Sequence, residues 1–225
     1  MAFEGLTPEE CAIVHGSVHR RRYGARERIF DMGDQADALL VVESGRIRMF
    51  HCSASGEEFT ICIWPAGHTL GLLSTLLDQK RIVSAESVES TVLLSFPRQK
   101  LLELMRTIPT FAINIARLAA SLAKESIVST SPLVLDPAPV RLGKVLAKLA
   151  MVDPDSSAGS ALVVRGLNQE DLASMVGVTR TWLTLMLSTL ESNGLIWRKR
   201  LQIGIHDLDA LQKFCHTAGR KPHRA

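Results

Sequence analysis

Hydrophobic positions change their spacing along this chain of 225 residues. Within residues 1 to about 18, Thr7-Pro8-Glu9-Glu10 predicts the start of a short helix. Between Arg20 and Phe96 the apolar residues crowd into short β-type runs, Ala38 to Val42, Arg46 to Phe50, Glu58 to Trp64 and Thr91 to Phe96. Gly33-Asp34, Ser44-Gly45, Ser55-Gly56 and Pro65-Ala66-Gly67 mark turns between them, and many short strands so punctuated predict a jelly roll or barrel. Beyond Pro97 the spacing becomes helical. Phe111, Ile115, Leu118 and Leu122 recur at four-three-four intervals, and Ala112, Ala116, Ala119, Ala120 and Ala123 keep much of the remaining surface small. From about Pro109 to Ser129 such a helix spans roughly 30 Å. It is long enough to pair with a second copy of itself, although an ordinary core helix shows the same pattern.

Pro132, Pro137 and Pro139 fall within one short stretch and predict a hinge over 132–139. A further helix is expected from about Val140 to Met151, followed by an acidic turn over Asp153 to Gly159. Two short helices around Gly177 come next. Asn168 is placed to cap the first, with Asp171 three residues on, and Leu172, Ala173 and Val176 share one face. Val178 is placed to plug the gap between the helices. Thr179 caps the second, whose inward stripe is Leu183, Met186, Leu187 and Leu190, leaving Arg180, Thr181, Thr184 and Ser188 outside. That is a helix-turn-helix. Any helical hairpin in a core could show as much, but Gly194 to Ile205 then alternates like a two-stranded hairpin with Arg198, Lys199 and Arg200 at its tip. A winged helix-turn-helix has that order of parts.

Charge sharpens the picture. From Arg180 onward eight Lys and Arg face three acids, a local balance of +5 in a chain whose total is only +3. Positive charge beside a groove-sized helix suits the phosphates of double-stranded DNA. A hydrophobic content of 46% is ample for a packed core, and no apolar run approaches a membrane span. The opening residues lack the basic and apolar regions of an export signal, so the expected location is cytoplasmic. Cysteines at 11, 52, 62 and 215 form no CxxC or Cys/His cluster, which argues against zinc and against an iron-sulfur cluster. They are expected to stay reduced.

A β-roll, a long alanine-rich helix, a hinge and a winged helix-turn-helix, in that order, resemble the Crp/Fnr superfamily of bacterial transcription regulators. The resemblance spans about residues 20 to 211. It is carried by Gly33-Asp34, Ser44-Gly45 before Arg46-Ile47-Arg48, Pro65-Ala66-Gly67, Gln169 to Leu190, Gly194-Leu195-Ile196 and Ile203 to Asp207. The implied fold class is α+β: a cyclic-nucleotide-binding-like roll over 1–108, a dimerisation helix over 109–131, the hinge, and a winged DNA-binding domain over 140–225. The resemblance implies a homodimer, with Phe111, Ile115, Leu118 and Leu122 as its stripe, a pseudo-palindromic operator, and RNA polymerase as a partner. Asn168, Gln169, Thr179, Arg180, Thr181, Thr184, Leu185, Ser188, Arg198, Lys199 and Arg200 become the candidate DNA contacts. Arg180 falls where the family reads a base, and arginine can bond guanine O6 and N7 together. Thr181 and Leu185 depart from the family pattern, so the operator is this chain's own. Trp182 is expected to pack rather than to contact DNA.

The sensory half departs further. Where cyclic-nucleotide binders carry a glutamate for the ribose hydroxyl this chain has Leu72, and where a serine follows the phosphate-binding arginine it has Ile82 after Arg81. Burying a ribose hydroxyl against Leu72 loses roughly 1–3 kcal/mol, which disfavours cyclic AMP. The candidate effector pocket comprises Leu70, Gly71, Leu72, Leu73, Arg81 and Ile82, closed by Leu118, Leu122 and Ser126. It is either filled by its own side chains or open to an apolar effector. A haem would need an axial ligand, for which His51, His68, Cys52 and Cys62 qualify by residue type, with His68 expected in a solvent-facing loop. A metal-dependent jelly-roll enzyme would need a compact His and carboxylate set, and no such set is visible in the sequence.

Overall fold

The computed structural model of the chain describes residues 4–53, 56, 58–151 and 162–220, with side chains left aside at 125–134, 151 and 220. The expected acidic turn, the side chain of Ser126 and the basic tail from Arg220 lie outside what is described. Two compact units divide the chain, Met1–Gly56 with Trp64–Ser129, and Glu57–Ile63 with Thr130–Ala225.

The first unit opens with α1 (Pro8–His15). Thr7 accepts from the Glu10 backbone while the Glu10 carboxylate accepts from Thr7, a complete capping box. The strands of the roll follow in chain order as β1 (His19–Tyr23), β2 (Arg28–Phe30), β3 (Ala38–Ser44), β4 (Arg46–Cys52), β5 (Glu58–Pro65, grouped up to Ile63 with the second unit) and β6 (Thr69–Leu70). After α2 (Leu72–Leu77) come β7 (Ser84–Ser87) and β8 (Thr91–Pro97). The strands form two four-stranded sheets, ordered β1-β8-β3-β6 and β2-β7-β4-β5. The edge strand β1 pairs antiparallel with β8, from His19 opposite Ser95 to Tyr23 opposite Thr91, and leaves His19 to Arg22 exposed.

The dense run at Ala38 to Val42 has a physical reason. Side chains alternate across a strand. Leu40 and Val42 enter a cluster with Tyr23, Ile47, Leu70, Ala85 and Leu93. Leu39 turns the other way, into a cluster with Val14, Leu72, Phe96, Leu101, Leu104, Ile108, Phe111 and Ile115. Both faces of β3 are therefore covered. The second cluster draws in α3 (Arg98–Thr107) and the long α4 (Pro109–Leu135).

Two expectations are corrected here. Phe111 and Ile115, assigned to a dimer stripe, are each 1% exposed within the roll's own cluster, and Leu118 and Leu122 pack against it. The strongest apolar period on α4 marks the face that meets its own unit, where burying each large side chain contributes roughly 1.5–3 kcal/mol. The helix also runs on to Leu135, past the hinge expected to begin at Pro132. An internal proline forfeits one backbone hydrogen bond and strains the turn before it, but does not forbid continuation. The interruption is confined to Asp136 and Pro137, before α5 (Ala138–Met151).

The second unit continues with β9 (Leu162–Arg165), α6 (Gln169–Val176), α7 (Arg180–Ser192), β10 (Ile196–Lys199), β11 (Gln202–Ile205) and α8 (Leu208–Arg220). Its wing is a three-stranded sheet, β10-β11-β9, where a two-stranded hairpin was expected. The face of α5 that carries Gly143 lies against Cys215 of α8. A methyl added at Gly143 would stand 3.1 Å from that cysteine's Cβ. Among the described residues no helix is long and apolar enough to cross a membrane.

Candidate nucleic-acid interface

Local chemistry fixes the two helices before any partner is considered. The Asn168 side chain accepts from the Asp171 backbone at 2.8 Å while the Asp171 carboxylate accepts from the Asn168 N–H at 3.3 Å, so α6 begins as its sequence predicts. Gly177 ends it in the left-handed conformation, φ 70°. From α5, Arg141 clasps this corner: its Nε donates to the Val176 carbonyl at 2.8 Å and its Nη2 to that of Gly177 at 3.1 Å. A cation there satisfies orphan carbonyls and meets the negative end of the helix dipole. Thr179 then caps α7 by accepting from the Trp182 backbone at 3.2 Å. Leu183, Leu187 and Leu190 are fully buried, as their spacing predicts.

The candidate DNA contacts sort into three groups. Asn168 and Thr179 are caps. Gln169, Thr184, Ser188 and Arg198 are joined in a chain of hydrogen bonds: Thr184 Oγ1 lies 2.9 Å from both Gln169 Oε1 and the Arg180 carbonyl, Ser188 Oγ donates to the Thr184 carbonyl at 2.9 Å, and Arg198 Nη2 donates to Ser188 Oγ at 3.2 Å. Arg180, Thr181, Leu185, Lys199 and Arg200 stand exposed, Leu185 by 66%. Trp182 is half-buried.

Arg198 is not at the tip of the wing. It sits inside β10 opposite Ile203, and the two-residue turn is Arg200-Leu201. Leu201 takes φ 57°, a conformation that favours glycine. Glu191, which sequence reasoning had counted only as a local negative charge, grips Arg198. Its Oε2 accepts from Nε at 2.9 Å and from Nη2 at 2.5 Å, and its Oε1 accepts from the Arg198 backbone at 3.2 Å. The hydrogen bond from Arg198, helped by its charge, holds the Glu191 carboxyl below the usual carboxylate range. The signal was present as Ser188 and Glu191 three residues apart on one helix face. Beneath the hairpin, Trp197 of β10 lies across Gly204 of β11, and Lys199 Nζ is 5.3 Å from the Trp197 ring centroid.

Together these elements enclose a concave groove of about 420 Å³, lined in part by Asn168, Gln169, Arg180, Lys199, Arg200 and Leu201. One wall is the start of α7 and the other is the wing tip. Cations converge on it from both walls, Arg198 among them, and Glu170 also lines it.

In the roll, Leu70 and Leu72 are buried in separate clusters, whereas Leu73 and Ile82 are 40% and 63% exposed and so do not line an enclosed pocket. Arg81 is 5% exposed and lies against Gly71, where an added Cβ would meet Nη1 at 1.5 Å. Gly71 has φ 74°. Arg81 Nη2 donates to the Ala38 carbonyl at 2.6 Å, and its guanidinium carbon lies 4.5 Å from the Phe30 ring centroid. Its Nε and Nη1 are buried and reach no hydrogen-bond partner among the described residues. Burial lowers its pKa, with Asp37 and Asp34 opposing. His68 is half-buried rather than solvent-facing, its ring 5.8 Å from that of Trp64, while His51 is exposed. Among the described residues no three His, Cys, Asp or Glu side chains gather as a metal site would require.

Two family models match the chain, Cyclic nucleotide-binding domain over residues 20–108 and Crp-like helix-turn-helix domain over residues 140–214. The cyclic AMP receptor protein of Thermus thermophilus is 31% identical over 86% of this chain and 87% of its own length. A CRP-like cAMP-activated global transcriptional regulator of Mycobacterium tuberculosis is 22% identical over 94% of both. Among solved structures, the c-di-GMP responsive global regulator CLP of Xanthomonas campestris superposes with a TM-score of 0.76 at 20% identity, covering 89% of this chain and 100% of that one.

Proposed function

The chain belongs to the Crp/Fnr superfamily of transcription regulators, and from that premise we propose that it acts as a homodimer whose α7 helices read a pseudo-palindromic DNA operator under control of an anionic effector. The relatives that span most of this chain are regulators, whereas the lysophospholipases that also match do so over about half of it and 8% of their own length, so the jelly-roll enzyme drops out as an alternative.

One observation carries the DNA reading: Arg180, Lys199 and Arg200 line a single groove beside the exposed face of α7. In the major groove Arg180 would bond guanine O6 and N7, and Leu185 would touch a thymine methyl. Lys199 and Arg200 would sit on phosphates. Two-fold symmetry then sets two half-sites about one helical turn apart.

With Phe111 and Ile115 committed to the roll, the surface available for self-pairing is the neighbouring face of α4. Ile113, Ala116, Ala120 and Ala123 are exposed there at three-four-three spacing, the interval of a helical seam. The three alanines would let two helices approach closely.

For the effector, the buried Arg81, two of whose nitrogens reach no partner among the described residues, supports an anionic ligand over a purely apolar one. Leu72 offers nothing to a ribose hydroxyl, so cyclic AMP remains disfavoured despite the name of the Thermus relative.

Selection of bound duplexes from random DNA tests the whole reading. An inverted repeat is expected, and Arg180→Ala should weaken that operator by one to two orders of magnitude more than random duplex, as loss of a bidentate base contact of ~1–3 kcal/mol implies. Equal losses on both would reduce Arg180 to a phosphate contact. No retained DNA, with or without cell extract, would sink the reading.

A further inference from the structure

We infer that Arg198 is a positioning residue withheld from DNA by Glu191, which leaves Lys199 and Arg200 as the wing's phosphate contacts. The inference rests on the DNA-binding reading and concerns how the wing's positive charge is divided.

The geometry points this way because one carboxylate takes hold of Arg198 twice. Oε2 receives both Nε and Nη2 of the guanidinium, and Oε1 receives the main-chain N–H of the same residue. A side-chain ion pair alone would tether a flexible arm; the backbone bond ties strand β10 itself to α7. Ser188 Oγ accepts from the same Nη2 at 3.2 Å, and the chain of hydrogen bonds runs on through the Thr184 carbonyl and Thr184 Oγ1 to Gln169 of α6. The two helices and the wing are thus joined along one polar seam. Glu191 lies one helical turn beyond Ser188, so the strand's angle is set relative to the helix that carries Arg180.

Electrostatics argue against Arg198 leaving this seat. A phosphate that captured the guanidinium would leave the Glu191 carboxylate unpaired beside another anion. Lys199 and Arg200 face no such competition, since both are exposed and, among the described residues, neither is paired with a carboxylate. All three wing cations line the groove, but among the described residues Arg198 alone is seated on a carboxylate.

The dependence of affinity on salt counts cations on phosphates, with log K falling by about 0.9 per contact for each unit of log salt. Anisotropy titrations of the full-length protein on its selected operator and on random duplex, across roughly 50 to 200 mM salt, read this count directly. Lys199→Ala and Arg200→Ala should each flatten the slope by about one contact. Arg198→Ala should lower affinity about threefold at every salt concentration, as expected for an exposed ion pair that only positions, giving a parallel line. Glu191→Gln should steepen the slope by about one contact as Arg198 is released, and Glu191→Gln with Arg198→Ala should restore the original slope. Steepening cannot arise from loss of folded protein, so that variant remains decisive if Arg198→Ala folds poorly. Flattening by Arg198→Ala comparable to that of Lys199→Ala would overturn the inference, as would an unchanged slope in Glu191→Gln. Failure of the wild-type protein to bind either duplex would instead refute the DNA reading itself.

Discussion

Gly204→Ala should unseat Trp197 and loosen the wing. A Cβ at residue 204 would stand 1.9 Å from Trp197 Cε2, 2.1 Å from Nε1 and 2.3 Å from Cζ2. All three are atoms of a rigid ring, so the indole must swing away as a whole. Trp side chains bury roughly 150–250 Å²; uncovering about 70 Å² of that costs ~2 kcal/mol at 25 cal/mol per Å². The Lys199 contact with the ring adds ~0.5–1 kcal/mol to the loss, and replacing a strand glycine returns about as much. A net loss near ~2 kcal/mol should lower the midpoint of the C-terminal unit by roughly 10 °C. Urea unfolding of the wild type, Gly204→Ala, Trp197→Ala and the double variant closes a cycle that isolates the contact. In the Trp197→Ala background the added methyl should cost nothing. An equal loss in both backgrounds, or no loss in the wild type, would refute the packing of Trp197 over Gly204.

Two further outcomes can be checked independently. Gly71→Ala should destabilise the roll, because residue 71 holds φ 74° and the new Cβ would displace Arg81 from beside it; if Arg81 is the anion anchor, inorganic phosphate should raise the melting temperature of the wild type but not of this variant, and an equal rise in both would remove Arg81 from that role. Burial pushes the Cys215 thiol up to about 11, so it should resist alkylation at pH 8 until the chain is denatured. Its contribution to stability should be complete below the unfolded thiol range near ~8.5 and fall as pH rises from there toward the folded value. Rapid labelling of Cys215 in the native protein would contradict its burial.

What could be read in the sequence was what depends on neighbours in the chain. The capping box at Asn168 and Asp171, the cap at Thr179 and the buried stripe of α7 all follow from spacings of three or four residues. Strand β9 was missed because four residues carry little pattern and its partner, β11, lies far along the chain. The stripe on α4 was visible but its partner was not: periodicity reveals that a helix face is covered, never by what, and here the roll covers it. Charge counting failed at Arg198 for a related reason, since a net balance of +5 sums charges without pairing them. Arg81 fell between these cases. Its residue type suggested an anion site, but a lone arginine in sequence reads as surface, and only the fold shows it buried, with two nitrogens that reach no partner among the described residues.

The open edge at β1 bears on how copies of this chain can meet. An unpaired strand edge offers its N–H and C=O groups as a template for another chain, and proteins blunt such edges with charge. Here Arg21 and Arg22 are exposed along that edge beside Arg20, which Glu43 pairs, so two copies brought strand to strand would set like charges against one another. Aggregation through a continuous intermolecular sheet is thereby discouraged at neutral pH, and association by another route is left as the less costly option.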